Sequence, residues 1–178
     1  MQKILPALLS LTILSTPALH ARPAAPAPIL TAPEALDTQT YARPQIARVT
    51  HVALDLVADF EAKEMRGTAT LDILAAPGAK EIVLDDKGLV IDRITDGRGR
   101  ALPFAIGASD ETKGAPLTIQ IGAARKIIIA YKSRPDASAL GWLPPSLTAG
   151  KTKPFLYSQG QSIENRSWIP TQDSPGIR

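Results

Sequence analysis

The residues of this chain best suited to contact another molecule lie in its final segment, FLYSQGQSIENRSWIPTQDSPGIR. Gln159 and Gln161 would point to the same side if this segment is extended. Each amide offers donors and an acceptor without a charge, which suits contact with a peptide backbone. Gly160, between them, allows a close backbone approach or an unusual conformation. From composition alone, two surface glutamines at a strand end are the better interpretation.

The rest of the sequence contains no complete catalytic apparatus. Hydrolysis by a metal needs a cluster of nitrogen or oxygen ligands, and His51 is the one histidine beyond residue 21. It has no partner at ligand spacing, so we predict a structural role on the sheet surface. A Gly-x-Ser-x-Gly nucleophile motif is absent, and DGRGRA is too short for a phosphate-binding loop.

Composition indicates one domain without a nucleic-acid partner. The 178 residues suffice for a single core. Lys and Arg number 20 against 17 Asp and Glu, a net charge of +3, and aromatic residues make up 4%. The charges alternate in sign, whereas nucleic-acid binders show a basic stripe with interleaved aromatics. Without cysteine, the chain has no disulfide and no thiolate metal site.

Residues 1–21 have the pattern of a secretory signal peptide. Lys3 precedes a short apolar run from Ile4 to Leu14, and Ala21 is a suitable last residue before cleavage. A transmembrane anchor is the alternative, but the run is too short to cross hydrocarbon comfortably. We therefore expect an exported chain, periplasmic or secreted, with no membrane contact after cleavage. Its net charge falls to +2 because Lys3 is the one charged residue removed.

Residues 22–45 are rich in proline and alanine and predict an extended linker. A proline-rich ligand for a recognition domain is the alternative. From Ile46 the apolar residues recur with a period of two, as in β-strands. We predict about seven strands, each roughly ten residues after the last: RVTHVALDLVADF, EMRGTATLDILA, KEIVLDD, LVIDRITD, GRGRALPFAIG, APLTIQIG and RKIIIAYKSR.

The predicted fold is therefore all-β and mostly antiparallel, with one buried face for each sheet. Residues 46–178 form this domain. A set of aspartates at strand ends or outer faces is predicted to be solvated: Asp55, Asp59, Asp72, Asp85, Asp86 and Asp92.

The motifs after the seventh strand occur in a specific order: Leu-x-Trp-Leu, Thr-x-Gly-Lys, Ser-Gln-x-Gln, an arginine, and Pro-x-x-Asp-x-Pro. In this order and spacing they resemble the N-terminal domain of gluzincin zinc aminopeptidases, in the branch that includes leukotriene hydrolase. The opening strands match more loosely, so the resemblance covers residues 46–178. The matching residues are Leu140, Trp142, Leu143, Thr148, Gly150, Lys151, Ser158, Gln159, Gln161, Arg166, Pro170, Asp173 and Pro175.

The resemblance implies a saddle-like β-domain that caps a catalytic domain and reaches the substrate cleft. Carried over, Gln161 would contact the N-terminal end of a bound peptide, with Gly160 and Ser162 beside it and Gln159 as a further candidate. The resemblance also assigns roles to the neighbouring residues. Arg166 and Asp173 would organise the turn, Trp168 and Pro170 would pack, and Glu164 departs from the uncharged residue expected there.

The resemblance implies zinc in a longer parent protein but no cofactor in this chain. The family's Gly-x-Met-Glu-Asn and His-Glu-x-x-His motifs and its third zinc ligand are absent from residues 1–178. We therefore expect an inactive, incomplete domain whose partner is the missing catalytic domain, either a fragment or a truncated product. A free-standing peptide-binding module and a structural β-sandwich with a fortuitous match remain open alternatives.

Overall fold

A computed structural model describes residues 37–174 and residue 177, and this part of the chain is almost entirely β-sheet. Its strands are β1 (Ala47–Asp59), β2 (Glu64–Ala75), β3 (Glu81–Asp86), β4 (Val90–Asp96), β5 (Phe104–Ile106), β6 (Ala115–Gln120), β7 (Lys126–Lys132), β8 (Leu140–Leu143) and β9 (Phe155–Ser158). The sheet orders are β1-β2-β7-β4, β3-β6-β5 and β8-β9. The strand pairs within them are antiparallel. The predicted all-β antiparallel fold is confirmed, and each of the seven predicted strands forms.

The core lies between the two larger sheets and follows the alternation of the sequence. Ala69, Leu71 and Ile73 of β2 are buried, as are Ile127 and Ile129 of β7. These side chains join residues of β3 and β6 in one hydrophobic cluster. Burial of each large aliphatic side chain contributes roughly 1.5–3 kcal/mol. The period-two pattern of β2 therefore matches the face that this strand buries in the core.

Gln172 links the two larger sheets through a buried amide. Its Oε1 accepts a hydrogen bond from the Val49 amide at 2.9 Å. Its Nε2 donates to the carbonyls of Ala47 at 3.0 Å and Val83 at 3.1 Å. Buried backbone groups need such partners, because leaving them unpaired costs about 1–3 kcal/mol each. Gln172 thereby joins β1 of one sheet to β3 of the other.

The prediction of solvated aspartates is wrong for two of them. Asp85 is 0% exposed and Asp86 is 3% exposed. Asp86 Oδ1 accepts a hydrogen bond from the Leu89 amide at 2.7 Å, which caps the turn after β3. Burial raises the pKa of both carboxyl groups, against the hydrogen bonds that they accept. The other aspartates are exposed or half-buried: Asp55, Asp59, Asp72 and Asp92.

His51 is exposed on β1, as predicted. The described end of the predicted linker lies against the sheets. Thr40 Oγ1 donates to Asp85 Oδ2 at 2.5 Å, and the Tyr41 amide donates to Asp85 Oδ1 at 2.7 Å. Residues 1–36, with the predicted signal peptide, lie outside the described residues. In the part that is described, no helix is long and apolar enough to cross a membrane.

Candidate functional site

The predicted contact residues lie in a loop directly after β9, residues 159–164, which we name the glutamine loop. Gln159, Gln161 and Ser162 are exposed, and Gly160 is half-buried. The strand ends at Ser158, so the extended conformation that would align the two glutamines does not continue. Gln161 therefore presents its amide from a turn, and Gln159 lies between the strand and that turn.

Backbone hydrogen bonds hold both ends of the glutamine loop. The Gln159 amide donates to the Ala139 carbonyl at 2.7 Å. The Glu164 amide donates to the Gly160 carbonyl at 2.9 Å, which closes a turn around Gln161. Because both ends are bonded, the exposed Gln161 side chain projects from a defined backbone.

Gly160 is needed for close packing. A Cβ at this position would lie 1.9 Å from Oδ1 and 2.4 Å from Cγ of Asn165. Real Cβ atoms essentially never approach other heavy atoms this closely. Nδ2 of the Asn165 side chain donates to Asp173 Oδ1 at 3.4 Å. The glycine between the two glutamines thus lets the Asn165 side chain support the loop from behind.

The β8–β9 hairpin carries the glutamine loop and packs on the β1–β2 turn. Gly141 pairs with Tyr157 across the hairpin, and a Cβ on Gly141 would meet the Tyr157 ring at 2.1 Å. Phe60, in the β1–β2 turn, contacts Trp142 edge to face, with ring centroids 5.2 Å apart and planes at 88°. The hairpin also presents Phe155 and Tyr157 as large exposed side chains.

Arg166 is fully buried behind the glutamine loop and organises the turn, as the resemblance implied. Its Nη1 donates to the carbonyls of Gln39 and Lys113, both at 2.9 Å. Its Nη2 donates to the Asp173 carbonyl at 2.6 Å, and its backbone amide donates to Asp173 Oδ2 at 3.1 Å. A buried charge requires such pairing, because desolvation costs several kcal/mol.

Asp85 is a second buried carboxylate in this cluster, which the sequence did not place here. Its Oδ2 lies 3.7 Å from Arg166 Nη2 and accepts the Asp173 amide at 2.9 Å. Desolvation raises the pKa of Asp85, while its hydrogen bonds and the charge of Arg166 oppose that shift. Arg166 therefore pairs with two acidic side chains, Asp85 of β3 and Asp173 of the C-terminal segment.

The remaining residues near the loop have structural partners. Glu164 accepts hydrogen bonds from Lys87 and Ser138, which explains a charged residue at this position. Trp168 is half-buried and Pro170 is buried, in agreement with their predicted packing roles.

Two depressions in the described part of the chain lie away from the glutamine loop. These depressions, of about 550 Å³ each, share Asp96, Arg100 and Ala123 in their walls, near the β6–β7 turn. Neither is lined by residues 159–162. Among the described residues, no group of three or more His, Cys, Asp or Glu side chains is placed to hold a metal ion. Gln159 and Gln161 are thus exposed without lining either depression.

Residues 41–178 match the family model of the Peptidase M1 N-terminal domain. The chain belongs to this family. It is 32% identical over 146 residues to leucine aminopeptidase 2 of Yarrowia lipolytica, which covers 80% of this chain and 22% of that protein. It is 32% identical over 149 residues to leukotriene A-4 hydrolase of Xenopus laevis, again covering 80% of this chain and 24% of that protein.

Solved structures place the same relationship in three dimensions. This M1 N-terminal domain superposes on yeast LTA4 hydrolase in complex with Bestatin with a TM-score of 0.74 and 25% sequence identity. The match covers 88% of this chain and 24% of that structure. The chain thus spans less than a quarter of the length of these relatives. The resemblance and the fold predicted from the sequence are both confirmed.

Proposed function

We propose that this chain is the substrate-cleft-lining N-terminal domain of an exported zinc metallo-aminopeptidase that removes N-terminal residues from peptides. The family match and relatives such as leucine aminopeptidase 2 support the aminopeptidase part of this proposal. The observation that carries the cleft-lining role is the placement of Gln161. Its side chain is exposed on a loop that is bonded at both ends.

The chemistry of a fixed glutamine suits the N-terminal end of a peptide. The amide oxygen of Gln161 can accept a hydrogen bond from an ammonium or a backbone N–H group, and its nitrogen can donate to a carbonyl. A loop that is already ordered loses little conformational freedom when the peptide binds. In this proposal Gln159, Gly160 and Ser162 complete the contact surface.

The proposed zinc ion belongs to another part of a longer polypeptide. The described residues of this chain offer no ligand set for it. In metallopeptidases such an ion polarises the scissile carbonyl and activates water. This chain would supply peptide contacts and would be inactive alone.

The catalytic part is the proposed partner of this domain. Leu147, Phe155 and Tyr157 are 66%, 54% and 49% exposed and suit an apolar contact with a second domain. The N-terminal sequence supports export to the periplasm or the medium, because residues 1–21 have the pattern of a cleavable signal.

The native protein tests this proposal. We would measure its intact mass and its zinc content after recovery from the exported fraction of its source. A mass several times the 18.9 kDa of this chain, with bound zinc, supports the aminopeptidase. A mass at or slightly below 18.9 kDa without zinc contradicts it and favours a stand-alone peptide-binding or structural module.

A further inference from the structure

Glu164 connects the glutamine loop to two distant segments of the domain. Both of its carboxylate oxygens accept hydrogen bonds from Nζ of Lys87, each at 3.2 Å, and Lys87 is the residue that follows β3. It also accepts a hydrogen bond from the hydroxyl of Ser138, which precedes β8. One side chain thereby ties the C-terminal end of the loop to β3 and to the start of the hairpin.

The contact between Lys87 and Glu164 is partly shielded from solvent. Each side chain is 28% exposed. Ion pairs that are fully exposed contribute little, because water and salt screen them. A partly buried pair that also receives a hydroxyl hydrogen bond is better able to hold its geometry.

The backbone around Glu164 links this contact to both ends of the loop. The Glu164 carbonyl accepts the Ser167 hydroxyl at 2.7 Å, and Ser167 Oγ accepts the Ala139 amide at 3.1 Å. The Ala139 carbonyl in turn accepts the Gln159 amide. Ser138 and Ala139 are adjacent, so a single segment holds the loop at Gln159 and at Glu164.

We infer that Glu164, through Lys87 and Ser138, is a positioning residue that fixes where the Gln161 amide lies. The effect of this positioning on peptide binding rests on the proposed function, in which Gln161 contacts the peptide. It assigns a role to the acidic residue at a position where the resemblance implies an uncharged one. The geometric part concerns this chain alone.

The first test is amide hydrogen exchange on the full 178-residue chain. Glu164→Gln removes the charge with little change of shape, Lys87→Met removes the cation, and Glu111→Gln is a matched control at an exposed glutamate. We expect exchange at Gln159 and Glu164 to accelerate about tenfold in both test variants, as for a local opening.

Exchange rates in the rest of the domain separate a local effect on the loop from a general loss of stability. Amides of β2 and β7 should keep the wild-type rates in the test variants, and Glu111→Gln should match wild type throughout. Unchanged exchange at the loop would overturn the inference. Faster exchange across the whole domain would also overturn it, because it would show a general structural role.

Peptide turnover by a longer polypeptide that contains this domain gives the second test. Glu164→Gln should raise KM several-fold with kcat within about twofold, because loop order affects binding of the peptide. A lower kcat at unchanged KM would overturn the positioning role. If Gln161→Ala leaves turnover unchanged, the proposed function fails, whereas the exchange result on this chain still decides the geometry.

Discussion

The guanidinium of Arg166 lies 3.7 Å from the carboxylate of Asp85, and both side chains are fully buried. Around this pair three parts of the chain meet. Thr40 and Tyr41 of the N-terminal segment bond to Asp85, and Asp173 of the C-terminal segment bonds to both residues. The glutamine loop ends two residues before Arg166, so the buried pair supports the proposed contact surface from within.

Arg166→Met should destabilise the domain strongly. It leaves Asp85 and Asp173 buried without their cation, which costs about 3–5 kcal/mol when one partner of a buried pair is removed. Urea unfolding measures this loss. Arg134→Met is the control, since Arg134 forms an exposed pair with Asp136, and it should cost no more than about 1 kcal/mol. A loss below about 1 kcal/mol for Arg166→Met would contradict the account of the cluster.

Gly160→Ala should lower thermal stability and displace the glutamine loop. The new Cβ would lie 1.9 Å from Asn165 Oδ1, so the Asn165 side chain or the backbone must move. Overpacking of this kind costs about 1–3 kcal/mol. Gly150→Ala is the matched control, because the nearest atom to its Cβ is Thr152 Oγ1 at 3.5 Å. Equal unfolding temperatures for the two variants would show that Gly160 is not held by packing.

Phe60→Ala should loosen the hairpin that carries the loop. It removes the edge-to-face contact with Trp142, worth about 0.5–1.5 kcal/mol beyond the buried area. In a Trp168→Phe background Trp142 is the single tryptophan, and its fluorescence emission should shift to longer wavelength. Phe104→Ala, a control at β5, should leave that emission unchanged. An unshifted spectrum in Phe60→Ala would mean that Trp142 does not depend on Phe60.

The stabilising contribution of Glu164 should depend on pH. The hydrogen bond from Ser138, with the hydrogen bond and charge of Lys87 and the charge of Arg166, lowers its pKa below the ordinary value of 4.5. Its contribution is therefore present above pH 4.5 and is lost as the pH falls through the folded-state pKa. Urea unfolding of wild type and Glu164→Gln should differ by about 1 kcal/mol near neutral pH and converge in acid. A difference that grows as the pH falls would contradict this assignment.

The strands could be predicted wherever their own residues carry a β-strand pattern. β2 alternates apolar and polar residues and β7 is rich in β-branched residues, so the sequence predicted both strands. β8 was missed, because its four residues include Gly141 and are followed by prolines. It is a strand because it pairs with β9, and that pairing depends on tertiary packing.

The glutamine loop could be located from its sequence motif, whereas the buried long-range contacts behind it could not be predicted. Asp173 meets Asp85 across 88 residues, and Gln172 meets Val83 across 89. Spacing along a sequence carries no information about such pairs. The available signal was the pair of adjacent aspartates at the end of KEIVLDD. They follow three apolar residues in a row, a pattern typical of a buried strand, so the strand could end inside the protein.

The most direct test of the cleft-lining role is kcat/KM for a short peptide with a polypeptide that contains this domain and its catalytic partner. Gln161→Ala should lower kcat/KM about tenfold, the effect of losing a hydrogen bond to a charged group of the substrate. Gln45→Ala, at an exposed glutamine in the N-terminal segment, should match wild type. A value for Gln161→Ala within about twofold of wild type would contradict the proposed contact with the peptide.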